Sequence, residues 1–184
     1  MTLILFCGPS GVGKTSIMRN LRDKHKFVFL RNYTTRNLRC GETDRTHIEE
    51  ESLLELEARN ETAFINKVHG NSYSVLIKDL DDAKNSRDIH MFDIFPAYLG
   101  KLFLYFEKCF FIAPEANTQL ESQLRLDGRE DRIAVISAEV DAAESAWVDW
   151  KNDSRCHRLI NYAGGLQITV DYIAKLMVRT ANSI

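Results

Sequence analysis

The run Gly8-Pro9-Ser10-Gly11-Val12-Gly13-Lys14-Thr15 constrains this chain more than any other feature. It fits the spacing GxxxxGK[ST] and lies between an apolar run, TLILFC, and an amphipathic pattern that begins at Lys14. Glycines at these places let successive backbone N–H groups turn inward around an anion. The helix that follows adds partial positive charge at its N-terminus. A lysine at position 14 reaches β- and γ-phosphate oxygens, and the Thr15 hydroxyl can ligate Mg2+. The alternative, a tight strand–helix turn with a coincidental lysine, leaves the agreement of motif and flanks unexplained. The stretch therefore predicts a nucleoside triphosphate site, with ATP the expected nucleotide, formed by Gly8, Ser10, Gly11, Val12, Gly13, Lys14, Thr15 and Ser16.

The rest of the chain supplies a scaffold for such a loop. Apolar strands are expected at 2–7, 27–31, 88–95, 108–113 and 157–161. Helical patterns run from Lys14 to Lys24, after Pro96, and over about 115–126, 131–150 and 166–180. This alternation predicts an α/β fold, a parallel sheet with helices on both faces. The more polar segment 32–80 interrupts the rhythm. It contains a short helix in EEESLLELEA, a small hairpin from 63–69 and 71–76, and a polar helical stretch at 77–86. The expected organisation is a core of 1–31 and 81–184 with an inserted lobe at 32–80.

Composition narrows the function classes. The chain has 184 residues, 45% apolar and 27% charged, as in a soluble globular domain. Its formal net charge of -2 argues against a general nucleic-acid or membrane-surface binder. TLILFC is too short for a signal segment, and no run reaches transmembrane length, so a cytoplasmic location is expected. The four cysteines are scattered; Cys7 and Cys109 lie in apolar runs and are expected as buried thiols rather than disulfide or zinc ligands. The five histidines show no metal spacing, and His69 is assigned to the hairpin turn. Trp147 and Trp150 are read as packing residues.

Against this near-neutral background, RNYTTRNLRCGE (31–42) is a concentrated cluster of cations. Arg31 by itself reads as solvated surface charge. Arg36 and Arg39, beside two threonines, a glycine and Glu42, read as an anion cradle, because guanidinium forks match a phosphate bidentately.

The run TTRNLRCGE (34–42) resembles the TTRxxRxGE signature of guanylate kinases, as GPSGVGKTS resembles that family's phosphate loop. The likeness continues in order through VHGNSY (68–73), FFIAP (110–114), RLDGR (125–129), RIAVISAE (132–139) and LIN (159–161). The resemblance implies a P-loop kinase fold with a nucleoside-monophosphate-binding lobe and a lid at about 125–133. It implies that Arg36, Arg39 and Tyr73 hold an acceptor phosphate, that Glu42 orients them, and that Asn161 approaches the adenine. Arg125, Arg129 and Arg132, together with Lys14, would stabilise charge on the transferred phosphoryl group. Asp93 would hold Mg2+ together with Thr15. On the residues alone, Tyr73 could equally pack, Asp93 could cap a helix, and RLDGREDR could be a salt-bridged helix junction.

The base-reading positions depart from the family pattern. Asn32 stands for a serine, Asn66 for a glutamate, Val75 for a serine or threonine, Phe95 for an aspartate and Ser74 for a glycine. An amide can donate as well as accept, which a carboxylate cannot. The expected activity is ATP-dependent phosphoryl transfer to a nucleoside monophosphate, GMP or dGMP first, with a relaxed or changed base preference. Two other readings stay open: a ribose bisphosphate phosphokinase, which needs no guanine reader, and a non-catalytic guanylate-kinase-like module that docks a protein. The expected partners are small-molecule nucleotides, with monomer or homodimer undecided.

Overall fold

The computed structural model describes residues 2–38, 41–68 and 70–181. β1 (Thr2–Cys7) leads through the glycine-rich loop into α1 (Lys14–His25) and the short β2 (Val28–Phe29). Next come β3 (Tyr33–Thr34), β4 (Thr46–His47), α2 (Glu50–Ala58), β5 (Thr62–Val68) and β6 (Asn71–Leu76). α3 (Ile77–Asn85), β7 (Ile89–Asp93), a 3₁₀ segment (Pro96–Leu102), β8 (Lys108–Pro114) and α4 (Asn117–Leu126) follow. A second 3₁₀ segment (Glu130–Val135), α5 (Ile136–Trp150), β9 (Cys156–Asn161) and α6 (Leu166–Ala181) complete the described chain.

The central sheet is parallel throughout, in the order β2-β7-β1-β8-β9. Its central strands β1 and β8 are apolar on both faces because both faces are covered. Leu3, Leu5 and Cys7 point to one side, with Leu80 and Ala83 of α3 and Trp147 of α5. Ile4 and Phe6 point to the other, with Ile17 and Leu21 of α1 and Val170 and Ile173 of α6. Cys7 and Cys109 are free, buried thiols whose sulfurs lie 3.7 Å apart. Trp147 packs edge-on against Phe111, and Trp150 against Phe106, as packing residues should.

Residues 33–76 build a second sheet, β4-β3-β6-β5, around the expected hairpin. Its strands β3 and β4 are two residues each, too short for alternation to mark them in the sequence. Ser72 N–H donates to the Thr35 hydroxyl, and the Thr34 hydroxyl accepts from Arg36 N–H. The two threonines of the arginine cluster thus brace its loop. The boundary drawn at residue 80 falls inside α3, whose Leu80 and Ala83 belong to the core. The stretch after Pro96 winds as a 3₁₀ segment rather than an α-helix, and the helix expected from 131 starts at Ile136 behind a 3₁₀ turn. Tight turns of this kind are frequent at helix starts. Among the described residues no helix is long and apolar enough to cross a membrane.

Two half-buried histidines give the fold a pH dependence. Among the described residues, both ring nitrogens of His90 and Nε2 of His157 are buried without hydrogen-bond partners. Burial holds both rings below the ordinary value of 6.5. The unfolded chain therefore binds protons below about pH 6.5 that the native chain resists, so stability is full above that value. It is lost as pH falls from 6.5 through the lower native values. Urea midpoints at pH 7.5 and 5.5 should show this drop, and it should shrink in His90→Phe. An equal drop in that variant would remove His90 from the account.

Candidate active site

Parallel pairing aligns the C-terminal ends of the strands, and the register places Phe6 beside Asp93 and Pro114 beside Asn161. A cleft of about 1250 Å³ opens at this edge and runs from the glycine-rich loop to the second sheet. Ligand sites in open α/β sheets are expected at this edge.

The loop's path depends on its glycines. Gly8 has φ +146°, and a Cβ there would stand 2.3 Å from the Ile112 carbonyl oxygen. Gly13 has φ +95°, and a Cβ there would stand 2.6 Å from Asn161 Nδ2. Gly13 also opens α1 without a side-chain cap, and the first turn of α1 lines the cleft. Lys14 Nζ donates to the carbonyl oxygens of Gly8 and Pro9 at 2.7 and 2.9 Å and lies 3.8 Å from the Asp93 carboxylate. Asn161 Nδ2 donates to the Val12 carbonyl at 2.8 Å, so Asn161 clips the loop in place while its Oδ1 has no partner among the described residues. Thr15, Ser16 and Asp93 line the same cleft.

At the opposite end, Arg36 Nη2 donates to both Glu42 oxygens at 2.7 and 2.8 Å. Burial works against the Arg36 charge, but Glu42 and then the Tyr73 hydroxyl outweigh it and raise its pKa. Arg36 and Glu42 are thus held as a pair at this end of the cleft. Tyr73 lies under the Arg45 guanidinium, 5.2 Å from ring centroid to Cζ. Sequence reasoning missed Arg45, although it follows the GE pair by three residues. Its buried Nε has no hydrogen bond among the described residues and lies 3.6 Å from Glu42 Oε1. Arg39 and His69 lie outside the described residues. Arg31 is exposed and reaches only to within 3.8 Å of Asp79.

Between these ends the cleft wall carries Phe64, Phe92, Phe95, Val68 and Asn66. The Asn66 side chain makes no hydrogen bond among the described residues, whereas Ser74 Oγ donates to the Phe64 carbonyl. Asn32 is a brace: its amide nitrogen donates to the Leu30 and Asp44 carbonyls at 3.2 and 2.8 Å.

The three lid arginines separate. Arg129 and Arg132 line the cleft. Arg125 stands outside its lining, half-exposed on α4 and 3.7 Å from Glu121 one turn earlier, as the salt-bridged helix reading would have it. Arg132 is tied to Glu139 and Ser10, and Glu139 is a second residue the sequence reading passed over. Tyr162, next to Asn161, is a third.

No family model matches the chain. Individual relatives do. The guanylate kinase of Nitratidesulfovibrio vulgaris is 32% identical over 149 residues, covering 77% of this chain and 72% of the relative. That of Oleidesulfovibrio alaskensis is 30% identical over 161 residues, covering 79% and 78%. Among solved structures, the guanylate kinase of Anaplasma phagocytophilum superposes with a TM-score of 0.63 at 19% identity, covering 97% of this chain and 85% of that one. A gluconokinase from Sinorhizobium meliloti 1021 follows at 0.57 and 14%, covering 99% and 94%, a reminder that the fold does not choose the acceptor. On the identity and coverage of its sequence relatives, the chain belongs to the guanylate kinase family of nucleoside monophosphate kinases.

Proposed function

We propose that the chain transfers the γ-phosphoryl group of ATP to a nucleoside monophosphate, GMP or dGMP first, with weaker discrimination among bases than a carboxylate reader gives. The observation that carries this reading is one cleft with a phosphate loop at one end and the Arg36–Glu42–Tyr73 cradle at the other. Gly8, Ser10, Gly11, Val12, Gly13, Lys14, Thr15 and Ser16 hold the triphosphate, with Asn161 and Tyr162 beside the adenine. Arg36, Arg45 and Tyr73, with Arg39, hold the acceptor phosphate. Arg129 and Arg132 serve the transferred group, and the part of Arg125 is limited to the helix surface. The Thr15 hydroxyl and Asp93 carboxylate are oxygen donors on one wall, a set that suits Mg2+. When bound, the ion neutralises charge on the phosphate oxygens. The lobe at 32–80 and the lid close over both substrates and exclude water.

Base reading falls to Asn66 in an otherwise apolar wall. An amide pairs with guanine through fewer charge-assisted bonds than a carboxylate, a difference of about 1–3 kcal/mol. The test is a panel of monophosphate acceptors with ATP and Mg2+. Transfer to GMP should be accompanied by measurable transfer to other monophosphates, and Asn66→Glu should raise the preference for GMP about tenfold to a hundredfold. Strict GMP and dGMP specificity in the natural chain would overturn the relaxed reading. Transfer to none of the panel, with ATP still bound by calorimetry, would overturn the acceptor class.

A further inference from the structure

Ser10, Arg132 and Glu139 form a closed ring of hydrogen bonds at the mouth of the phosphate loop. Ser10 N–H donates to Glu139 Oε2 at 2.7 Å. Arg132 Nη2 donates both to Glu139 Oε1 at 2.9 Å and to the Ser10 hydroxyl at 3.1 Å. The three residues come from the loop, the 3₁₀ segment that ends the lid and the first turn of α5, and all three line the cleft. Glu139 is mostly buried, with 14% of its side chain exposed, and Arg132 has 19%. Burial of Glu139 is outweighed by its bonds to Ser10 and Arg132, so its pKa falls below the ordinary carboxylate value and it stays ionised. Among the described residues, Arg132 Nε is buried without a hydrogen-bond partner. That donor is ready for an acceptor on a substrate.

We propose that Glu139 is a positioning residue, which locks Arg132 onto the phosphate loop so that its guanidinium meets the transferred phosphoryl group. This rests on the proposed role of Arg132. Glu139 acts in two ways. It neutralises Arg132 while both are partly desolvated, and it fixes the guanidinium by a bond to the loop whose position defines the triphosphate. A long arginine on a 3₁₀ turn has many rotamers, and the ring selects one before substrate arrives. Pre-set orientation of this kind is worth about 10²-fold in rate when a group is displaced by an ångström. Glu139 itself carries negative charge near the triphosphate, so its removal should not weaken ATP.

The experiment is a double-mutant cycle on the full chain, reading kcat and both KM values at saturating Mg2+, with thermal unfolding as the check on folding. Glu139→Gln should lower kcat about 10²-fold with the KM for ATP unchanged or lower. In an Arg132→Ala background the same change should cost nothing further, because there is no guanidinium left to aim. An equal loss in both backgrounds, or no loss in the first, would overturn the positioning role. Full activity in Arg132→Ala alone would instead remove Arg132 from the reaction, the failure of the underlying reading rather than of the ring. Should Glu139→Gln unfold, Ser10→Ala opens the ring at its third member and should lower kcat without shifting the acceptor KM; unchanged kcat there counts against the ring.

Discussion

Lys14→Ala is expected to lower kcat by about 10²–10³-fold, the scale for removing one pre-organised charge stabiliser from a water-excluded site. The lysine is not a loose surface cation. Its side chain is 11% exposed, it donates to two loop carbonyls, and it lies 3.8 Å from Asp93. Phosphoryl transfer asks little covalent chemistry of a protein, so most of the barrier reduction comes from charges already in place. The fold should survive, because the loop's path is fixed by Gly8 and Gly13 and by the Asn161 clip, none of which the substitution touches. The measurement is single-turnover transfer at saturating ATP, with near-ultraviolet circular dichroism confirming native packing. Native-like kcat in a folded Lys14→Ala would mean that the triphosphate lies elsewhere.

The phosphate loop was legible because its function demands a local pattern. Glycine, lysine and threonine must fall at fixed spacing between a strand and a helix, and nothing distant can substitute for them. The central sheet was legible for a similar reason, since strands covered on both faces read as unbroken apolar runs. The site residues that escaped notice are those whose roles arise from tertiary approach. Glu139 meets Ser10 across 129 positions of sequence, and no periodicity announces that contact. Arg45 was hidden by its neighbours, Asp44 and Glu42, which make it look like one member of a mixed surface run until Tyr73 is seen beneath it. Arg125 runs in the opposite direction. Its place in RLDGR suggested a lid cation, while helical spacing sets it 3.7 Å from Glu121 and outside the cleft lining. Asn32 lines the cleft as its position suggested, but nothing in the sequence signalled that its amide nitrogen also braces the Leu30 and Asp44 carbonyls.

Arg36→Ala is the second large effect, and it should fall on the acceptor. The Glu42 side chain is 9% exposed and accepts two short bonds from Arg36 Nη2. Removing one partner of a buried ion pair costs about 3–5 kcal/mol, because the other charge is left desolvated. Arg36 is itself 18% exposed, and Arg45 remains 3.6 Å from Glu42, so the lower end of that range applies. Separately, losing charge-assisted hydrogen bonds to the acceptor phosphate costs about 1.5–3 kcal/mol, a rise of about 10–10²-fold in the acceptor KM. The KM for ATP should hold, since the phosphate loop makes none of these contacts. Arg36→Lys should fall between the two, keeping the charge but losing the fork that matches a phosphate. Part of the loss in Arg36→Ala will be lobe stability rather than substrate contact, and the two can be separated. Adding Glu42→Gln removes the orphaned charge and should recover the unfolding midpoint, while the acceptor KM stays high because no guanidinium has returned. Recovery of both together would show that Arg36 serves only to hold the lobe, and the acceptor phosphate would then have to be assigned to Arg45 and Arg39.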